Sequence, residues 1–134
     1  MTIAIWSSRY ETGIALIDAQ HRSLFDAVNR LADSFQAGTS NQQARECLEF
    51  MVRYTEEHFR SEEAYMRDMN YPHVIPHEAE HARLIDQVHQ LQAKVAEGRP
   101  VTMDMAIFLA DWLKRHINET DMGYVNFVKD KAEQ

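Results

Sequence analysis

Apolar residues recur at intervals of three and four along most of the chain, the spacing that gathers them on one face of an α-helix, and no stretch alternates as a strand would. From about Asp18 to Phe35 the stripe is Leu24, Phe25, Val28, Leu31, Ala32 and Phe35, with Asp18 suited to cap its start and Gly38 to stop it. A second helix is expected from Ser40, where Ser-Asn-Gln-Gln has the form of a capping box. It runs through Leu48, Met51, Val52, Thr55, Phe59 and Met66 to about Met69. The segment NYPHVIP breaks it, and a third helix follows with Pro76 in its first turn and Leu84, Ile85, Val88, Leu91 and Val95 as its buried stripe. Thr102 can cap a fourth, whose apolar side is Met105, Ala106, Phe108, Leu109, Trp112, Leu113 and Ile117.

The expected helices therefore cover about 18–37, 40–69, 76–97 and 102–121, with a C-terminal extension beyond. Long amphipathic helices joined by short connections pack against their sequence neighbours in opposite directions, so the fold class is all-α: an antiparallel up-down-up-down four-helix bundle. Residues 1–17, with Ile3, Ile5, Trp6, Tyr10, Ile14 and Leu16, read as an extended arm laid on that bundle. The whole chain, 134 residues, fits one domain with one core.

Composition narrows the function. A net charge of -7 argues against nucleic acid, which is bound largely through clustered Lys and Arg. No apolar run reaches the roughly 20 residues of a membrane span, and the start MTIAIWSSRYE lacks the features of a leader, so the chain is expected to be soluble, cytoplasmic and, as a compact bundle, monomeric. The single cysteine, Cys47, permits no intrachain disulfide and reads as a small hydrophobe on a helix.

The seven histidines carry the chemistry. His21 lies near the start of the first helix, His58 and Glu62 toward the end of the second, His77 and His81 at the start of the third, and His116 and Asp121 at the end of the fourth. In an antiparallel bundle, starts of odd helices and ends of even ones share one end, so topology alone brings these seven side chains to one level. Residues four apart differ by about 40° around a helix, which lets His58 face inward with Glu62 and His77 with His81. His116 and Asp121, five apart, differ by about 140°, so the helix must widen or unwind between them, with Gly123 just beyond to make this easier. Burying so many polar groups without a cation would be costly. Imidazole and carboxylate without thiolate suit iron or manganese, and seven ligands are too many for one ion. If Glu62, Asp121 and one oxygen atom all bridge a six-coordinate pair, roughly one of about twelve positions stays open for a small ligand.

These motifs, DAQHRSLF around His21, HFRSE from His58 to Glu62, HEAEH from His77 to His81 and HINETD from His116 to Asp121, strongly resemble the hemerythrins, and the single-domain bacteriohemerythrins in particular. The resemblance spans nearly the whole chain. It implies reversible dioxygen binding at two non-haem irons bridged by carboxylates and an oxo or hydroxo group, in a carrier, store or sensor that is not an enzyme. It assigns His77, His81 and His116 to one iron, His21 and His58 to the other, and Glu62 and Asp121 to the bridges. Dioxygen would bind at the histidine-poor iron inside walls for which Leu113, Ile117, Phe25, Phe59 and Trp112 are the candidates. His73 and His89 fall outside the ligand pattern. An oxygen-consuming enzyme is the partner that a delivery role would require.

Three other classes fit the residues less well. A ferritin-like diiron oxidase or peroxidase uses two Glu-x-x-His motifs, of which only Glu78 to His81 is present here. A regulatory module would be expected to carry a signalling domain. A purely structural bundle leaves the converging polar residues unexplained.

Overall fold

The structure is a computed structural model that describes residues 2–36 and 41–132. It contains α1 (Ala15–Gln36), α2 (Asn41–Asp68), α3 (Val74–Ala96) and α4 (Met103–Arg115), then a π-helical turn (His116–Asp121) leading directly into α5 (Met122–Ala132). The four expected helices form the antiparallel bundle, with α1 against α2 and α4, and α2 against α3. Leu24, Phe25, Val28 and Leu31 of α1 meet Leu48, Met51 and Val52 of α2, Val88 and Val95 of α3, and Ala106, Leu109 and Leu113 of α4 in the main core. Each large side chain so buried contributes about 1.5–3 kcal/mol relative to exposure.

α1 begins three residues before Asp18, so Asp18 is not the N-cap. Its backbone N–H already bonds to the Ile14 carbonyl, and its carboxylate reaches back to accept the Thr12 N–H and hydroxyl, both at 2.8 Å, and the Gly13 N–H. The side chain thus ties the first turn to the incoming chain, where Gly13 takes a left-handed φ of 82°. The expected signals at Gly38 and Ser40 lie outside the described residues. α3 starts two residues before Pro76, which still sits in the first turn, where its missing N–H costs no helical bond. Thr102 caps α4 as expected, its side chain accepting from the Met105 N–H.

The arm is tied down along α1 rather than free. Asn29 accepts from the Ile3 and Ala4 N–H groups, each at 2.9 Å, and donates to the Ala4 carbonyl. A short 3₁₀ turn, Ser8–Tyr10, then sets Trp6 and Tyr10 edge-on to Phe25.

A second, smaller cluster, Met66, Tyr124 and Val125 with Tyr65, Tyr71 and Met122 packed against it, closes the far end of the bundle and uses α5. It is separate from the main core. Between the two lies a layer of buried polar side chains.

Candidate metal centre

The polar layer consists of the seven side chains singled out by sequence: His21, His58, Glu62, His77, His81, His116 and Asp121 are each no more than 4% exposed. α1 supplies one, α2 two, α3 two, and the π turn after α4 the last two. That turn is the local widening the five-residue spacing demands. One extra residue per turn brings His116 and Asp121 onto the same side, which a regular helix would not do. Gly123 serves a different need from the one expected. A Cβ there would lie 2.6 Å from the Tyr71 hydroxyl, so the glycine allows close packing of α5 on the loop after α2.

All five imidazoles turn Nε2 inward. His77 and His116 each approach Asp121 Oδ1 at 3.0 Å, while His21 approaches Oδ2 at 3.2 Å. Glu62 Oε1 lies 3.2 Å from His58 and 3.3 Å from His81. The donor atoms fall into two overlapping groups: Glu62, His77, His81, His116 and Asp121 in one, and His21, His58, Glu62 and Asp121 in the other, each with its atoms within 4.8 Å of one another. The two carboxylates belong to both. Asp121 turns one oxygen to each group.

These contacts are close, yet several of the inward atoms make no hydrogen bond: Nε2 of His21, His58 and His77, Oε1 of Glu62 and both oxygens of Asp121 are buried and unpartnered. Buried polar atoms left without partners are costly, and so many converging nitrogen and oxygen atoms are what a bound cation satisfies. The donor set thus fits hard or borderline metal ions such as iron.

Charge at the site points the same way. Burial alone would lower the pKa of His21 and of His116, but the Asp121 and Glu62 carboxylates overcome it and lift them to about 9 and about 10. Burial dominates at His81, which is held below its ordinary value. Burial would raise Glu62 and Asp121, but the surrounding histidines hold both below the usual carboxylate range. A cavity that retains protons this strongly is built to hold positive charge.

Two supporting residues escaped the sequence reading. Gln20 Oε1 lies 2.7 Å from His58 Nδ1, and its amide also donates to Ser61, so it orients the His58 ring with Nε2 toward the centre. Tyr124, fully buried, donates its hydroxyl to Glu62 Oε2 at 2.6 Å. Burial and the two nearby anions push that phenol far above its ordinary pKa, so it stays a donor. Gln20 was legible only as the neighbour of His21. Tyr124 follows the π turn, where ordinary helical phase no longer says which way a residue faces.

The apolar candidates are distributed unevenly. Phe59 stacks flat on His81, with centroids 3.7 Å apart, and Trp112 stacks on His116 at 5.0 Å. Leu113 and Ile117 are buried on α4 and the π turn, and Phe25 is buried with Trp6 and Tyr10 of the arm as its ring partners. His73 is exposed beside Tyr71, and His89 pairs with Glu56 at the surface, so neither joins the layer. Cys47 is half-buried.

Fold and site together define a four-helix-bundle protein with a buried cluster of imidazole and carboxylate able to hold metal. Residues 12–128 match the family model described as the hemerythrin HHE cation-binding domain. The chain is 33% identical to a bacteriohemerythrin of Pseudomonas aeruginosa, with 99% of this chain and 92% of that protein covered. It is 32% identical to myohemerythrin-1 of Phascolopsis gouldii over 90% of each. A crystal structure of wild-type hemerythrin superimposes with a TM-score of 0.86 at 32% identity, covering 92% of this chain and 96% of that one. The chain belongs to the hemerythrin family, and dioxygen binding at non-haem iron comes with that membership. Among the described residues no helix is long and apolar enough to cross a membrane.

Proposed function

We propose that residues 1–134 form a single hemerythrin-like domain whose seven buried donors hold two irons and bind dioxygen reversibly, for carriage, storage or sensing rather than turnover. The observation that carries this is the split of the donors into two overlapping groups that share Glu62 and Asp121. His77, His81 and His116 would hold one iron, His21 and His58 the other, and the shared carboxylates would bridge them. With two histidines against three, the His21 and His58 side keeps the open position. When bound in the ferrous state, the irons supply the electrons that make dioxygen binding strong and reversible.

The chain's own residues set the conditions for that chemistry. Gln20 fixes the His58 ring, and the Tyr124 hydroxyl holds one oxygen of Glu62. Leu113, Ile117, Phe59, Trp112 and Phe25 would supply apolar walls that keep out the water and anions that would promote irreversible oxidation. A histidine-rich, carboxylate-poor donor set favours holding oxygen over driving further oxidation, which separates this site from the ferritin-like oxidases.

Anaerobic loading with ferrous iron is expected to give about two irons per chain. His58→Ala should remove a ligand from the open side and abolish reversible oxygenation. Saturation at one iron, or normal oxygenation by the variant, would contradict the assignment.

A further inference from the structure

Beside the metal centre, between α3 and α4, lies a pocket of about 460 Å³ whose walls include Glu80, Arg83, Phe108, Trp112, Arg115 and His116. Its floor is unusual. His116 presents Nε2 to the buried carboxylates, and the half-buried Trp112 ring lies nearly parallel to it, with 17° between planes. An aromatic pair thus runs from a donor of the centre to a surface pocket. Phe108 remains 39% exposed on the rim although the helix has a full apolar stripe without it. Arg115 and Arg83 stand on opposite walls, both exposed, with Arg83 paired to Glu80.

We infer that this pocket docks a reduced flavin bearing a phosphate, which returns electrons to oxidised iron through Trp112 and His116. The inference rests on the proposed iron site. An oxygen-binding iron pair that oxidises without releasing oxygen is lost to function until two electrons come back. The size suits a ligand of this class, since small-molecule sites commonly occupy about 300–1,000 Å³. Glu80 holds Arg83, so the phosphate falls to Arg115, whose guanidinium can bind it in bidentate fashion, and Phe108 offers a face for a flat ring. The centre must be reached through side chains, so electrons arrive singly; a flavin can release them one at a time, whereas a nicotinamide delivers a hydride, which cannot pass through a stacked ring pair. In the balanced step the reduced flavin anion gives up two electrons and one proton and becomes the oxidised ring. Each electron converts one ferric ion to ferrous, and the proton goes to solvent.

Flavin mononucleotide is the probe. Added to the iron-loaded protein, its fluorescence should be quenched saturably, and Arg115→Glu should weaken the binding by roughly tenfold or more, the scale of one lost charge-assisted hydrogen bond. Phe108→Ala should weaken it as well, and riboflavin, which lacks the phosphate, should bind less tightly than the mononucleotide and be indifferent to Arg115. In anaerobic stopped flow, photoreduced flavin mononucleotide should reduce the diferric protein at a rate that saturates with flavin and falls in Arg115→Glu. Absence of saturable quenching, or equal binding of both flavins to wild type and variant, would overturn the inference. Iron content and reversible oxygenation are measured on the same preparations. Normal oxygenation without flavin binding overturns the docking site alone, whereas failure to hold iron or oxygenate overturns the function on which it rests.

Discussion

Tyr124→Phe isolates one hydrogen bond of the centre with almost no change in packing. The tyrosine and its acceptor Glu62 are both fully buried, and the hydroxyl oxygen lies 2.6 Å from Oε2. Phenylalanine keeps the ring against Tyr65, Tyr71 and His77, so no cavity opens. What is lost is a donor to a buried carboxylate, and nothing replaces it, because the next group facing Oε2 is His21 at 3.8 Å, beyond hydrogen-bond reach. A hydrogen bond to a charged group is worth about 1.5–3 kcal/mol, against a gain of a few tenths from no longer burying the hydroxyl. The metal-free variant should therefore lose about 2 kcal/mol. For a domain of this length that lowers the melting temperature by about 7 °C, measured by circular dichroism at neutral pH. In the iron-loaded protein the same change should cost roughly 10–100-fold in iron affinity. A variant that melts with the wild type and binds iron equally well would refute the view that Tyr124 holds Glu62 in place.

Gln20→Ala should lower iron affinity by roughly 10–100-fold in competition with a chelator while leaving the helical content unchanged, because it frees the His58 ring without touching the core. Loading the metal-free protein with ferrous iron at pH 7–8 should release about two protons per chain, from His21 and His116, and the release should fade as the pH approaches 10; a pH-stat records it. The stability of the metal-free protein follows the same groups. Raised histidines contribute stability that is complete below the unfolded value near 6.5 and is lost as pH rises through about 9 to 10, whereas the depressed Glu62 and Asp121 contribute stability that is lost as pH falls below about 4. His81, held low, adds a smaller loss on the acid side of 6.5. A melting temperature that keeps rising from pH 7 to 10 would contradict this. Gly123→Ala should move the Tyr71 side chain while changing stability by no more than about 1 kcal/mol in a denaturant titration, since the half-exposed hydroxyl can yield to the new Cβ and alanine favours the helix.

That these seven side chains would meet was legible because their positions depend only on helix order and spacing, which survive small errors in helix boundaries. Asp18 shows what does not survive. A carboxylate at a helix start reads as a cap from sequence, but the same group one turn in can bond backward to Thr12 and Gly13, and only coordinates separate the two. The His116 to Asp121 spacing announced a distortion, since no regular helix aims both inward, yet it could not say whether the helix would end or widen. It widens, and because it continues as α5, Tyr124 returns to the centre. The supporting partners lay beyond reach because they depend on rotamer and local phase. Gln20 faces His58 across 38 residues of sequence, a pairing that no periodic pattern encodes.

Cycling a single anaerobic sample through oxygen while recording its visible spectrum tests the central claim most directly. The ferrous protein should be nearly colourless, develop a charge-transfer band when oxygen is admitted, and lose it again when oxygen is removed, over repeated cycles and with iron per chain unchanged. A band that never forms, or one that forms and persists after oxygen is withdrawn, would contradict reversible dioxygen binding at this centre.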